Sequence, residues 1–296
     1  MELGRISTAM VASFSSTGDI DFDKAEKLIE HLIKNGTDSI VVNGTTGESP
    51  TLTVDEKEKL LSFTIETVNK RIPVIAGTGT NSTAESTLLT REATKLGADG
   101  IMLVTPYYNK PDQNGMFAHF SHIAGETTLP VLLYNIPGRS VVNALPETII
   151  ALSKVKNIRA VKEASGSLEQ MAAIISGTDE GFAVYSGDDS LTLPLLSIGG
   201  NGIVSVAAHV VGNDMQKMIA AFLEGRIKEA AAMHRALLPV FSALFAAPNP
   251  VPLKYALKKL NIDTGGVRLP LLSYEDQNVG FDQVWENFEK TRTIFA

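Results

Sequence analysis

Cysteine is absent from this 296-residue chain. Disulfides, thiolate nucleophiles and cysteine-held metals or clusters are thereby excluded, and the absence suits a reducing compartment. A basic surplus is also missing: 26 Lys and Arg against 33 Asp and Glu leave a net charge of -7. Such a chain has no cationic stripe to displace counterions from a phosphate backbone or to hold an anionic membrane, so neither nucleic acid nor membrane is expected as a partner. Long apolar runs are lacking too, because glycines and charges interrupt each before it reaches membrane length. The start, Met1-Glu2-Leu3-Gly4-Arg5-Ile6, carries an acid at position two and no apolar core of signal length, so an untargeted cytoplasmic protein is expected. What is present is ample: 44% hydrophobic residues, 20% charged and 24 glycines describe a globular chain able to bury a substantial core.

The apolar residues come in a repeating rhythm. Ile6-Ser7-Thr8-Ala9-Met10-Val11 reads as a strand, and Asp21 opens an amphipathic helix stopped by Gly36. Ser39-Ile40-Val41-Val42 follows, then a polar glycine turn and a helix begun by a capping box of Thr53 and Glu56. Further strands are predicted at residues 72–76, 100–104, 130–134, 158–161, 182–186 and 202–206. The helices between them start at a Ser82 and Glu85 box, near Gln113, near Pro146 in a first turn, and at a Ser167 and Gln170 box. Short apolar strands alternating with helices suit a parallel sheet covered on its outside, and eight such units close most naturally into a (β/α)₈ barrel. We assign residues 1–225 to the barrel. Residues 226–296, with helical stretches at 229–245, 253–260 and 281–292, form a helical extension packed on it.

In a parallel barrel the loops leaving the C-terminal strand ends make one mouth, where ligands bind. The sixth strand delivers Lys162 there, within Val161-Lys162-Glu163-Ala164-Ser165-Gly166. The other strand ends add Thr45, Thr46 and Glu48, then Pro106-Tyr107-Tyr108-Asn109, then Tyr134-Asn135-Ile136-Pro137-Gly138-Arg139, then Gly187-Asp188-Asp189. A lysine must be neutral to attack a carbonyl, and an apolar mouth depresses its pKa by penalising the ammonium. Hydroxyls of Tyr134, Thr45 and Tyr108 suit the proton relay that an imine requires, and Arg139 offers a planar fork for a carboxylate. Taken singly, each has a bland explanation: a rim-filling tyrosine, a turn-capping threonine, a surface-paired arginine. Their convergence on one rim favours Schiff-base chemistry.

Three other motifs carry less. Gly77-Thr78-Gly79-Thr80-Asn81-Ser82 starts like a dinucleotide fingerprint and lacks its third glycine. Gly199-Gly200-Asn201-Gly202 precedes the eighth strand and so belongs at the end of the barrel that serves stability. His119 and His122 share a helix face without a third ligand at suitable spacing, so they are read as helix surface, with no metal expected.

Gly44-Thr45-Thr46-Gly47-Glu48-Ser49, the two tyrosine motifs and the Lys162 motif, in this order and spacing, resemble the dihydrodipicolinate synthases of the class I pyruvate aldolase superfamily. The resemblance covers essentially the whole chain, including Asn249-Pro250-Val251-Pro252. It implies a cofactor-free lyase in which pyruvate forms an imine on Lys162 and the resulting enamine attacks L-aspartate 4-semialdehyde, in the diaminopimelate route to lysine. By the same resemblance Tyr134, Thr45 and Tyr108 form the relay, with Tyr108 reaching into a neighbouring subunit of a homotetramer. Thr46 and Gly187 contact the pyruvate carboxylate or its neighbours, Ile203 lines the site, and Arg139 binds the semialdehyde carboxylate. Ser49, Asn81, Glu85 and Tyr107 match a lysine-inhibition site, but Val54 and Lys57 stand where lysine-sensitive members often carry histidine. The alternative is a sibling aldolase acting on 2-keto-3-deoxy sugar acids or N-acetylneuraminate; a non-catalytic keto-acid sensor on the same barrel is the reading from another class.

Overall fold

Short β-prone runs, most of them buried on both faces, become the strands of the computed structural model, which describes residues 3–274 and 280–295. Met1 and Glu2 of the start considered above, and part of the C-terminal extension, lie outside the described residues. The strands are Ile6–Ala9 (β1), Ser39–Val42 (β2), Val74–Gly77 (β3), Gly100–Val104 (β4), Val131–Asn135 (β5), Ile158–Glu163 (β6), Ala183–Ser186 (β7) and Gly202–Ser205 (β8). Each pairs in parallel with the next, and β1 closes on β8, giving the (β/α)₈ barrel. The first strand is shorter than expected, and β6 runs two residues further, through Lys162 to Glu163.

The helices interleave as α1 (Phe22–Lys34), α2 (Val54–Val68), α3 (Thr83–Leu96), α4 (Gln113–Ala124), the single turn α5 (Pro137–Ser140), α6 (Pro146–Leu152), α7 (Leu168–Gly177) and α8 (Thr192–Ser197). Asp21 caps α1 through the Lys24 amide. Of the three expected capping boxes only Thr53 with Glu56 is reciprocal. Ser82 and Ser167 accept from the amides three residues on, while the Gln170 side chain turns away to Asn143 and Glu163.

Alternation sorts the strand residues into two apolar layers. Ala9, Val41, Ile75, Met102, Leu132, Ala160 and Val204 fill the barrel interior, and Ile40, Val42, Leu103, Leu133, Val161 and Ile203 pack outward against the helices. The glycine run before β8 sits at the N-terminal strand ends, where Arg5 donates to the Asn201 carbonyl and a Cβ at Gly202 would strike the Arg5 carbonyl oxygen.

Beyond β8 come α9 (Ala208–Leu223), α10 (Ile227–Leu244), α11 (Val251–Lys259) and α12 (Phe281–Thr291), with α10 packed between α9 and α12. The segment from α10 onward is bonded to the mouth. Lys254 on α11 lies 2.9 Å from Glu48, with both side chains buried; the approach is that of an ion pair rather than an aligned hydrogen bond. Lys254 also donates to the Gly266 carbonyl at 2.6 Å and sits over the Phe14 ring. Glu48 in turn accepts from the Arg268 amide, and Arg268 pairs with Glu56. Burial pushes the Lys254 ammonium down to about 8 although Glu48 opposes the shift, so desolvation outweighs the attraction. Removing one partner is the damaging change: Lys254→Met strands a buried carboxylate and is expected to cost ~3–5 kcal/mol. In a thermal melt Lys254→Met should fall well below wild type and Glu48→Gln/Lys254→Met should regain most of the loss; equal melting of the two variants would refute the pairing.

Candidate active site

Lys162 faces the barrel interior because of an irregularity upstream. Val131 pairs with Ile158 but Leu132 pairs with Ala160, so Arg159 is an extra residue that shifts the phase of β6. Ile158 therefore points outward, and Ala160 and Lys162 point inward. Tyr134 is the registered neighbour of Lys162 on β5 and Tyr185 its neighbour on β7. The Lys162 amine lies 4.0 Å from the centre of the Tyr134 ring. Gly187 lets this happen: a Cβ there would meet Ala164 Cβ at 2.6 Å and Lys162 Cε at 3.0 Å.

Burial pushes the Lys162 ammonium from the ordinary 10.5 to about 8; the negative charge of Asp189 opposes the shift and the positive charge of Arg139 adds to it. Burial also pushes the Tyr134 phenol up to about 12, against the pull of Arg139 and a hydrogen bond with Thr45. At neutral pH the site thus pairs an amine close to its titration point with a phenol that keeps its proton. One group can become a nucleophile while the other donates.

A cavity of about 400 Å³ opens beside Tyr134, which lines it together with Thr45, Met102, Val104, Ile136 and Arg139 among others. Arg139 lies on the single turn α5, and its guanidinium has no hydrogen bond or ion pair among the described residues. Ser49, Lys57, Glu85 and Tyr107 line the same cavity, while the Asn81 carbonyl is held by the Asn109 side chain. Burial lowers the Lys57 ammonium, with Glu85 opposing, and raises the Tyr107 phenol.

Not every expected residue converges here. Tyr108 is 88% exposed with a left-handed φ of 72° and is not among the residues lining its own chain's cavity. Thr46 is buried, its hydroxyl accepting from the Asn249 side chain at 2.9 Å. Ile203, expected to line the site, turns its side chain into the layer between strands and helices, so only its main chain is available to a ligand. His119 also departs from expectation. It is buried and bonded to the Thr83 hydroxyl, and burial pushes its imidazole to about 4; His122 alone is exposed. Among the described residues no group of three or more His, Asp or Glu is placed to hold a metal ion.

Two acids escaped the sequence reading. Asp189, noted only as part of a rim motif, is buried and accepts from the Ser205 hydroxyl at 2.5 Å and from the Val206 and Ala207 amides. Burial raises its carboxyl to about 6, despite those donors. Glu163 lies on the outer face of β6, directly behind Lys162.

Comparison with known proteins identifies relatives of the whole chain. The sequence profile of the dihydrodipicolinate synthetase family matches residues 2–280. The 4-hydroxy-tetrahydrodipicolinate synthase of Bacillus velezensis is 55% identical over 96% of this chain and 99% of its own. The crystal structure of a dihydrodipicolinate synthase from Bacillus anthracis superimposes with a TM-score of 0.92 at 50% identity, covering 100% of this chain and 98% of that one. That of the enzyme from Cyanidioschyzon merolae with lysine bound does so with a TM-score of 0.92 at 46% identity, over 99% and 98% of the two chains. The chain belongs to the dihydrodipicolinate synthetase family.

Proposed function

We propose that this protein condenses pyruvate with L-aspartate 4-semialdehyde, the reaction of 4-hydroxy-tetrahydrodipicolinate synthase, as a Schiff-base lyase of lysine biosynthesis. The observation that carries the reading is the buried Lys162 amine held 4.0 Å from the ring of Tyr134, which lines a cavity together with Arg139. Relatives of the same name at more than half identity over nearly the full chain support the choice of substrates.

The neutral Lys162 amine adds to the C2 carbonyl of pyruvate, and loss of water leaves an imine. Tyr134, which keeps its proton at neutral pH, protonates the departing oxygen and then removes a C3 proton as the enamine forms, with Thr45 passing the proton onward. Enamine carbon then attacks the aldehyde carbon, and the relay protonates the resulting alkoxide. Attack of the substrate's own amino group on the imine carbon releases Lys162 and closes the ring. Thr46 and Gly187 bound the pyruvate end, Arg139 receives the semialdehyde carboxylate, and Ile203 contributes through its main chain.

Tyr108, strained and outward-facing, completes the relay of a second subunit, in a cytoplasmic homotetramer; no helix among the described residues is long and apolar enough to cross a membrane. The chemistry needs no cofactor, since the imine itself serves as the electron sink. Residues 1–225 act as the catalytic barrel, and residues 226–296 brace it.

Side-by-side assays test the reading. The semialdehyde should turn over at least a hundredfold faster than 2-keto-3-deoxy sugar acids or N-acetylneuraminate, and the reverse ranking would overturn it. Free lysine in the same assay should inhibit weakly or not at all: Lys57 brings its own ammonium to the cavity wall beside Ser49, Glu85 and Tyr107, where it repels a ligand ammonium. Inhibition at sub-millimolar lysine would remove that part of the proposal.

A further inference from the structure

Behind the barrel wall, at the level of the reacting pair, lies a polar cluster that the condensation mechanism leaves unused. Asn135 and Glu163 are registered neighbours on β5 and β6, one residue beyond the registered pair Tyr134 and Lys162. By alternation the first pair faces the helices and the second faces the substrate. Glu163 is fully buried, without a cation among its hydrogen-bond or ion-pair partners in the described residues. Its Oε1 accepts from the Ser165 amide at 2.8 Å and from Asn135 Nδ2 at 3.1 Å; Oε2 accepts from Asn135 Nδ2 at 3.0 Å and from Gln170 Nε2 at 3.0 Å.

The donors are themselves anchored. Asn135 Nδ2 also reaches Asn143 Oδ1 at 2.7 Å, and Asn135 Oδ1 accepts from the Ala144 amide. Asn143 and Gln170 exchange hydrogen bonds of 2.9 and 3.1 Å. One carboxylate thus ties together the ends of two strands, the turn after β6 and the first turn of α7. A group buried at this cost, and satisfied from every side, leaves its strand a single conformation. Core packing alone would have been met by an apolar side chain of similar size.

We propose that Glu163 is a positioning residue for the imine-forming lysine: its clasp on Asn135 fixes the strand ends from which Lys162 and Tyr134 face each other. The inference rests on the condensation reading, because it needs Lys162 to be the reacting amine. An error of about 1 Å in a reacting group costs roughly a hundredfold in rate, so the clasp should be visible in kinetics.

Glu163→Gln keeps the volume and exchanges one acceptor for a donor, which then opposes the Asn135, Ser165 or Gln170 N–H groups. Full-length wild type and variant are mixed with pyruvate and reduced with borohydride at timed intervals. The labelling endpoint counts folded sites, and the labelling rate reads how well the amine is aimed. Expected is a 10- to 100-fold fall in rate and in kcat, with an endpoint close to stoichiometric and the KM for the semialdehyde within about threefold of wild type. A normal rate per labelled site would overturn the proposal, since a merely structural residue lowers the endpoint or the melting temperature and leaves that rate alone. Should Glu163→Gln not fold, Gln170→Ala removes one donor from α7 without touching either strand. A several-fold slower labelling rate supports the clasp and an unchanged one refutes it. Failure of wild type itself to label at Lys162 would strike the condensation reading first, and the positioning role with it.

Discussion

Lys162→Met eliminates condensation and makes the protein more stable at the same time. The loss of rate is expected to be on the order of 10⁴-fold or more, because covalent activation and the positioning of pyruvate vanish together. The gain in stability follows from the cost of the amine. Burial lowers its pKa from 10.5 to about 8, which corresponds to ~3 kcal/mol against holding the ammonium inside. Between pH 8 and 10.5 the unfolded chain keeps a proton on this lysine that the folded chain has released, so wild-type stability rises with pH across that window. Below about 8 both states are protonated and the penalty is complete. A methionine of similar length carries no such penalty, so the variant should melt several degrees higher at pH 6.5 and lose its advantage toward pH 10.5. Imine formation in the wild type should rise with pH through about 8, as the amine becomes free. Wild-type condensation by the variant would remove Lys162 from the chemistry. An equal melting temperature at pH 6.5 would mean that the amine is solvated rather than buried.

Local sequence made the barrel and its mouth legible, and the limits follow from the same physics. Strand, glycine turn and capped helix repeat with enough regularity to show eight units, and a lysine at a strand end draws the eye. Which way that lysine points was hidden: β6 is buried on both faces, and Arg159 adds an uncounted residue to the alternation. The face of Ile203 is equally hidden, since a strand whose four residues are all buried carries no polar alternation from which to read it. Contacts between distant segments left no local trace. Asn249 meets Thr46 across 203 residues and Arg268 meets Glu48 across 220, so the bracing of the mouth by the extension emerges only from the coordinates. His119 was read as surface because three-residue spacing shows that two histidines share a face without showing that α4 buries one of them against Thr83.

Arg139→Ala should separate the two half-reactions. The guanidinium lines the cavity without a hydrogen bond or ion pair among the described residues, although a cation at a surface generally finds an acid; an open planar fork at the rim is what a carboxylate substrate would fill. Loss of that fork is expected to lower kcat/KM for the semialdehyde on the order of 10²-fold. Arg139→Lys should recover little, because one ammonium cannot reproduce two parallel hydrogen bonds. Pyruvate should still be trapped on Lys162. Because the Arg139 cation helps depress the Lys162 pKa, the pH midpoint of trapping should move upward in the alanine variant. The turn that carries Arg139 does not depend on its side chain: the Ser140 hydroxyl holds the Ile136 and Val142 carbonyls at 2.9 Å, and Thr105 donates to Ser140. A collapse of the turn would instead impair trapping and condensation alike, so an equal loss in both would show that Arg139 supports the loop rather than the substrate.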